Sequence, residues 1–264
     1  MRRFRKMHGL GNDFVIFDAR REPLAMDGAT ARALADRRTG IGCDQLIVLE
    51  PSDGADLAMR IWNADGGEAE ACGNAARCVA ALLGGETVIE TGGGLVRASA
   101  ADGQATVDMG RPRFAWDEIP LAYPIDTAAM PVAWEALRTP FAVNVGNPHA
   151  VFFVEDADAI ELGRLGPLIE RDPLFPERVN VGVASLDDAG LKLRVWERGA
   201  GLTQACGTGA CAAAVAAHGE GVVGGLRLTV HQPGGDAVVD LSGTTVVLTG
   251  PAEHVFTADV GGGR

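Results

Sequence analysis

The chain has 264 residues, is 47% hydrophobic and carries 35 acidic against 23 basic side chains, a formal net charge of -12. That length and apolar content suit one large core or two ordinary ones, and two domains are expected; the acidic balance argues against nucleic acid as a partner, because phosphate binding leans on clustered Lys and Arg. No segment runs to 18 apolar residues, the basic start MRRFRK reaches Gly9, Gly11, Asn12 and Asp13 without a signal-peptide core, and five cysteines without CxxC spacing suit a reducing compartment, so a cytoplasmic protein with no membrane partner is expected.

In chain order, short runs with period-2 alternation predict strands at 14–18, 45–50, 57–62, 87–91, 105–109, 150–156, 191–197, 226–230, 237–241 and 245–250. Turn residues between them favour antiparallel pairing. Helical patterning is clearest at 29–38, 72–83 and 206–218, and the last two are built of small residues, as buried helices enclosed by sheet would be. The segment 111–140 holds five of the 13 prolines, a composition that rejects a continuous helix or a central strand. It marks the expected division into 1–115 and 116–251, with 252–264 returning onto the first half and the GGGR end disordered.

The chain also resembles itself. Shifted by 134 positions, residues 60–80 fall on 194–214 with eight identities in 21, among them Trp62 on Trp196, Cys72 on Cys206 and Gly73 on Gly207. Near the start of each half, Gly11 and Asn12 meet Gly146 and Asn147 at an offset of 135. Two diverged copies of one unit are expected to bring equivalent residues to a shared cleft from opposite sides, so one cysteine from each half faces a common point. The expected architecture is α/β (α+β): two pseudo-symmetric domains, each a strand-rich antiparallel shell or barrel around a central helix.

Both cysteines precede a predicted helix directly. The free N–H groups and positive dipole end found there lower a thiol pKa and also bind carboxylates. A buried cysteine is usually an inert small hydrophobe, but the duplicated Cys-Gly context weighs against that for this pair. Cys43, Cys78 and Cys211 have no such context.

The motifs GLGNDF (9–14), GCDQ (42–45), NADG (63–66), ACGNAARC (71–78), VGNPHAVFF (145–153), ERVNVG (177–182) and WERGAGLTQACGTGACA (196–212) together resemble the diaminopimelate epimerase family over nearly the whole chain. The one departure is Ala75, where relatives usually carry Gly. The resemblance implies interconversion of L,L- and meso-diaminopimelate in lysine and peptidoglycan precursor biosynthesis, with no pyridoxal phosphate, no metal, and a homodimer. It implies that Cys72 and Cys206 are the acid/base pair. Gly73, Asn74, Gly207 and Thr208 would form the carboxylate cradle, and Asn12, Gln45, Asn63, Asn147, Asn180, Glu197 and Arg198 the remaining substrate contacts. His149 and Glu197 would act beside the reacting centre, where a tunable imidazole and a carboxylate can polarise a thiol or an ammonium group. His8, His218, His231 and His254 are read as structural, and Asp65, Glu68 and Glu70 as a solvated loop face.

Inverting a carbon without a cofactor needs a base on one face and an acid on the other, a task two thiols in opposite ionisation states perform in both directions. Proline or hydroxyproline racemases share that logic. Their substrate, however, lacks the distal amino-acid group that Arg198, Asn63 and Asn180 would bind, and Asn74 stands where those families carry His. A thiol redox switch or a non-catalytic amino-acid-binding module is the alternative from another class.

Overall fold

The computed structural model describes residues 1–70, 72–187 and 189–261, in two compact units: Met1–Asp108 with Gly250–Arg264, and Met109–Thr249. In the first unit, β1 (Arg2–Gly9) and β2 (Asn12–Asp18) form a hairpin, and α1 (Gly28–Ala35) leads to β3 (Gln45–Glu50). Next come β4 (Leu57–Asn63), β5 (Glu68–Ala69), α2 (Gly73–Leu83), β6 (Gly85–Thr91), β7 (Gly94–Ala101) and β8 (Gln104–Asp108). The second unit runs β9 (Ala133–Trp134), β10 (Leu137–Arg138), β11 (Phe141–Asn144), β12 (Pro148–Phe153), a 3-10 turn (Ala157–Ala159), α3 (Leu162–Glu170), β13 (Asn180–Asp187) and β14 (Gly190–Glu197). It continues with β15 (Gly201–Leu202), α4 (Gly207–Gly219), β16 (Arg227–Gln232), β17 (Gly235–Asp240) and β18 (Val247–Pro251), and β19 (Glu253–Val260) then returns to pair with β1.

Among the described residues most pairs are antiparallel, but four are parallel: β2 with β3, β4 with β6, β12 with β13, and β14 with β16. Helices α1 to α4 each lie in the crossover between one such pair, which is the long connection that parallel strands require. The duplication is therefore visible in topology: each unit has one outer helix, then one inner helix, at matching steps.

The inner helices set the sites. In the first unit α2 packs on β1, β6, β7, β8 and β19, so the sheet curls round it; in the second α4 touches β11, β12, β13, β14, β16 and β17. Gly73 to Ala80 and Gly207 to Ala217 are buried without a break; small side chains permit this on most faces, and in α2 the one long side chain, Arg77, is buried with its own hydrogen-bond partners. Ala-rich sequence suits this doubly, since Ala has the highest helix propensity. The outer helix α1 covers a core of Val15, Phe17, Leu46, Val48 and Trp62, and α3 covers Phe152, Val181, Val183 and Phe175. Helix α3 escapes the sequence pattern because Gly163, Gly166 and Pro167 interrupt it, yet Leu162, Leu165 and Ile169 bury one face at helical spacing. Strands β1, β7, β11, β13 and β19, and the two-residue β5, β9, β10 and β15, lie outside the expected set; β1 hides behind its basic residues, with Phe4 and Met7 buried between them. The C-terminal tail expected to be disordered lies, from 262 on, outside the described residues.

Candidate active site

Each cysteine caps its helix. Cys72 has extended dihedrals (φ -150°, ψ 112°), and its sulfur accepts the Ala75 N–H at 3.5 Å. Cys206 matches it (φ -127°, ψ 112°), with Sγ accepting the Gly209 N–H at 3.3 Å. An Ncap side chain that accepts from N3 satisfies one of the orphan N–H groups of the first turn, and here sulfur takes the place usually held by oxygen. The first intrahelical bonds run from Ala76 to the Cys72 carbonyl and from Ala210 to the Cys206 carbonyl, so the N–H groups of Gly73, Asn74, Gly207 and Thr208 all precede them. Both sulfurs thus sit at the positive end of a buried helix. The remaining cysteines are buried. Burial pushes the Cys43 thiol up to about 11 and the Cys78 thiol to about 12, which leaves both protonated and unreactive at neutral pH.

In the first unit, Asn12 at the start of β2 is tied to the α2 N-terminus, and the amides of β3 and β4 pair with each other. The buried Arg77 donates to Asn74 Oδ1 (2.5 Å) and to the Pro251 carbonyl (3.0 Å). Asn74 Nδ2 donates to Asn12 Oδ1 (3.1 Å), and Asn12 Nδ2 to Asp44 (3.0 Å). Gln45 and Asn63 are cross-strand partners, joined by a 2.9 Å bond from Gln45 Nε2. Beneath Asn12, Asp13 is half-buried; burial raises its carboxyl pKa, but Arg37 and Lys6 outweigh that and hold it at about 2. Asp65, Glu68 and Glu70 are exposed.

In the second unit His149 is 0% exposed. Its Nε2 lies 2.8 Å from Asn147 Oδ1 and 3.0 Å from Thr208 Oγ1, which in turn is 3.4 Å from Cys206 Sγ. Burial first, and the Arg198 charge second, bring the imidazole pKa down to about 3, so the ring is neutral. Asn147 Oδ1 can only accept, which puts the single ring proton on Nε2. Asn180 pairs with His149 across the parallel ladder and accepts the Arg198 N–H at 2.9 Å. Glu197 accepts from the Thr203 hydroxyl (2.5 Å), and the Arg198 guanidinium rests on the Glu177 carbonyl (3.0 Å).

Of the proposed contacts, Asn12 is bonded to Asn74 at the α2 N-terminus, and Asn147, His149 and Thr208 form a chain that ends at the Cys206 sulfur; Gln45 and Asn63 are bonded to each other, and Asn180 to the Arg198 main chain. Sequence reasoning passed over two buried charged residues that organise them. Arg77 stands inside ACGNAARC without a role of its own, and Glu170 lies on the unforeseen α3. Among the described residues no group of three His, Cys, Asp or Glu side chains could hold a metal ion, and no helix is long and apolar enough to cross a membrane.

A family model described as Diaminopimelate epimerase matches residues 4–115 and 141–255. A diaminopimelate epimerase of Rhizorhabdus wittichii is 63% identical over 261 residues, covering 97% of this chain and 94% of the relative. One of Sphingopyxis alaskensis is 63% identical over 259 residues, covering 97% and 96%. Among solved structures, a predicted epimerase of Pseudomonas aeruginosa superposes with a TM-score of 0.69 over 98% of this chain and 99% of that one, at 21% identity, a likeness of fold. With two buried helices each capped by a cysteine, and with full-length identity of this order, the chain belongs to the diaminopimelate epimerase family and is an isomerase.

Proposed function

We propose that this chain interconverts L,L- and meso-diaminopimelate by proton transfer between two thiols, Cys72 and Cys206, acting on opposite faces of one Cα. The observation that carries the reading is the repeated N-cap: in each unit a cysteine sulfur accepts an N–H of the first turn of a buried helix, beside N–H groups that precede the helical bonding ladder. Such an end lowers a thiol pKa and attracts a carboxylate at once. One cysteine as thiolate removes the Cα proton while the other, as thiol, delivers a proton to the far face; for the reverse direction they exchange roles. The α-carboxylate, held by the N–H groups of Gly73, Asn74, Gly207 and Thr208, takes up the charge that develops as the proton leaves.

The halves 1–115 with 252–264 and 116–251 supply one thiol each. Arg198 takes the distal carboxylate in bidentate fashion, Glu197 the reacting ammonium, and Asn12, Gln45, Asn63, Asn147 and Asn180 the remaining polar groups. Neutral His149 reaches the Cys206 side through Thr208. The reaction serves lysine and peptidoglycan precursor synthesis in the cytoplasm, and the working form is a homodimer.

Incubation with L,L-diaminopimelate in D2O tests the reading, with deuterium at Cα and the meso isomer followed beside Cys72→Ala and Cys206→Ala. The wild type is expected to exchange and epimerise, and each variant to lose about 10²–10⁴-fold in epimerisation, the usual contribution of a positioned acid or base. A wild type inert towards diaminopimelate but active on proline or hydroxyproline would overturn the substrate, and one inert towards all three would overturn the enzymatic reading.

A further inference from the structure

Glu170, the last residue of α3, is 2% exposed and takes no part in the chemistry above. A carboxylate so deeply buried is costly unless its oxygens are matched. Oε2 accepts the Trp196 indole N–H at 2.7 Å, Oε1 accepts the Gly199 backbone N–H at 3.1 Å, and the Arg178 guanidinium lies 3.6 Å from Oε1. Residues 196 and 199 bracket Glu197 and Arg198. One buried group therefore holds the chain on both sides of the two charged residues assigned to the substrate.

The surroundings leave that bracket little freedom. The Trp196 ring lies so close to α3 that a Cβ at Gly166 would stand 2.4 Å from it, and Gly199 has φ 76°, a left-handed turn suited to glycine. Arg178 is itself at φ 63°, an unusual conformation for a residue with a side chain, and so reaches Glu170 from the segment ahead of Asn180. From the other side Asn180 and the Glu177 carbonyl hold the Arg198 main chain and side chain.

We infer that Glu170 is a positioning residue for substrate binding. Through Trp196 and Gly199 it fixes the turn that presents Glu197 and Arg198, and it touches no substrate itself. The inference rests on the reading that Arg198 binds the distal end of diaminopimelate. Glu170→Gln keeps the size but turns an –NH2 donor towards one of the two N–H groups, so one bond is lost and two donors face each other.

The test is a double-mutant cycle in kcat/KM for diaminopimelate, with Glu170→Gln, Arg198→Ala and the pair. Glu170→Gln is expected to lower kcat/KM about tenfold, chiefly through KM, as loss of uniform binding does. In the Arg198→Ala background it is expected to add clearly less than in the wild type, about threefold or below, the remainder acting through Glu197. Full additivity, or an unchanged kcat/KM in folded Glu170→Gln, overturns the inference. If Arg198→Ala leaves kcat/KM unchanged, the assignment of Arg198 to the substrate fails and the inference falls with it, a result distinct from additivity. Should Glu170→Gln not fold, Trp196→Phe removes the indole N–H, together with the five-membered ring that carries it, and leaves Glu170 in place; the same KM increase and the same non-additivity are then expected, and their absence overturns the inference.

Discussion

The two helix ends share a backbone and differ in what surrounds them. At α4, Cys206 is 3% exposed, with a backbone N–H, the Thr208 hydroxyl and, through it, a neutral histidine in line with its sulfur. At α2, Cys72 is less buried, and the residue matching Thr208 is Asn74, which heads a chain of amides from buried Arg77 to Asp44. Position N3 differs too: Ala75 donates to one sulfur and Gly209 to the other. Duplication has thus preserved the N-cap, which serves both thiols, while the neighbourhoods have diverged. One thiol is set among groups that can pass a proton, the other beside a fixed cation and its amides.

Exchanging the N3 residues breaks the comparison most directly. A Cβ on Gly209 would lie 2.9 Å from Val195 Cγ2 and 3.2 Å from Cys206 Sγ, so Gly209→Ala must move the sulfur or the strand. Overpacking of this kind costs about 1–3 kcal/mol. A fall in kcat of at least about tenfold is expected with it, measured beside urea unfolding. The mirror variant Ala75→Gly displaces nothing, and is expected to cost about 0.5–1 kcal/mol of helix stability with kcat within about twofold. Equal effects at the two sites would show that the ends are equivalent.

Arg77→Met asks whether the first end depends on its guanidinium. Asn74 Oδ1 and the Pro251 carbonyl each lose a buried donor. An unsatisfied buried acceptor costs about 1–3 kcal/mol, so a loss near 2 kcal/mol in urea unfolding is expected, with deuterium exchange at Cα slowed. Stability equal to wild type would mean that the amide chain holds itself in place.

A further difference between the two ends is read against pH. His149 has its pKa lowered in the folded protein, from 6.5 to about 3. Below pH 6.5 the unfolded chain takes up a proton that the folded one refuses, so stability falls as pH drops through the window from 6.5 to about 3, by about 1.4 kcal/mol per pH unit. Asp13 has a lowered carboxyl pKa, so its contribution is complete above 3.8 and is lost only towards about 2. Between pH 4 and 6 the Glu220 carboxyl, its pKa raised from 4.5 by desolvation, acts in the opposite direction, so the histidine is read from the difference between wild type and a His149 variant. His149→Asn is expected to flatten that slope, and an unchanged slope would assign it to other groups.

Much of the site was legible because its chemistry is carried by short contiguous motifs. Cys72, Gly73 and Asn74 stand together, as do Cys206, Gly207 and Thr208, and a single gap-free shift of the chain reveals the correspondence. The inner helices were equally clear, because a run such as GACAAAVAA leaves few other conformations and no exposed face to satisfy. What escaped depends on distant partners. Parallel pairing of β4 with β6 or β14 with β16 is set by how a crossover helix packs, and alternation along a strand carries no sign of it. Glu170 carries no signal of its role until Trp196 and Gly199, at least 26 positions away, are brought against it. Arg77 likewise looks like an ordinary polar position on a helix until the sheet closes over it.

The unbroken burial of α4 from Gly207 to Ala217 bears on how such a protein can change over time. An element enclosed on all sides has no face on which a larger side chain can be tried, so drift is confined to the surrounding strands and loops. A saturation library across this helix would show almost every enlargement rejected, while the exposed hairpin turns accept most changes. Lineages can therefore restyle the outside of the protein freely while the Cys206 sulfur stays at the same point in space.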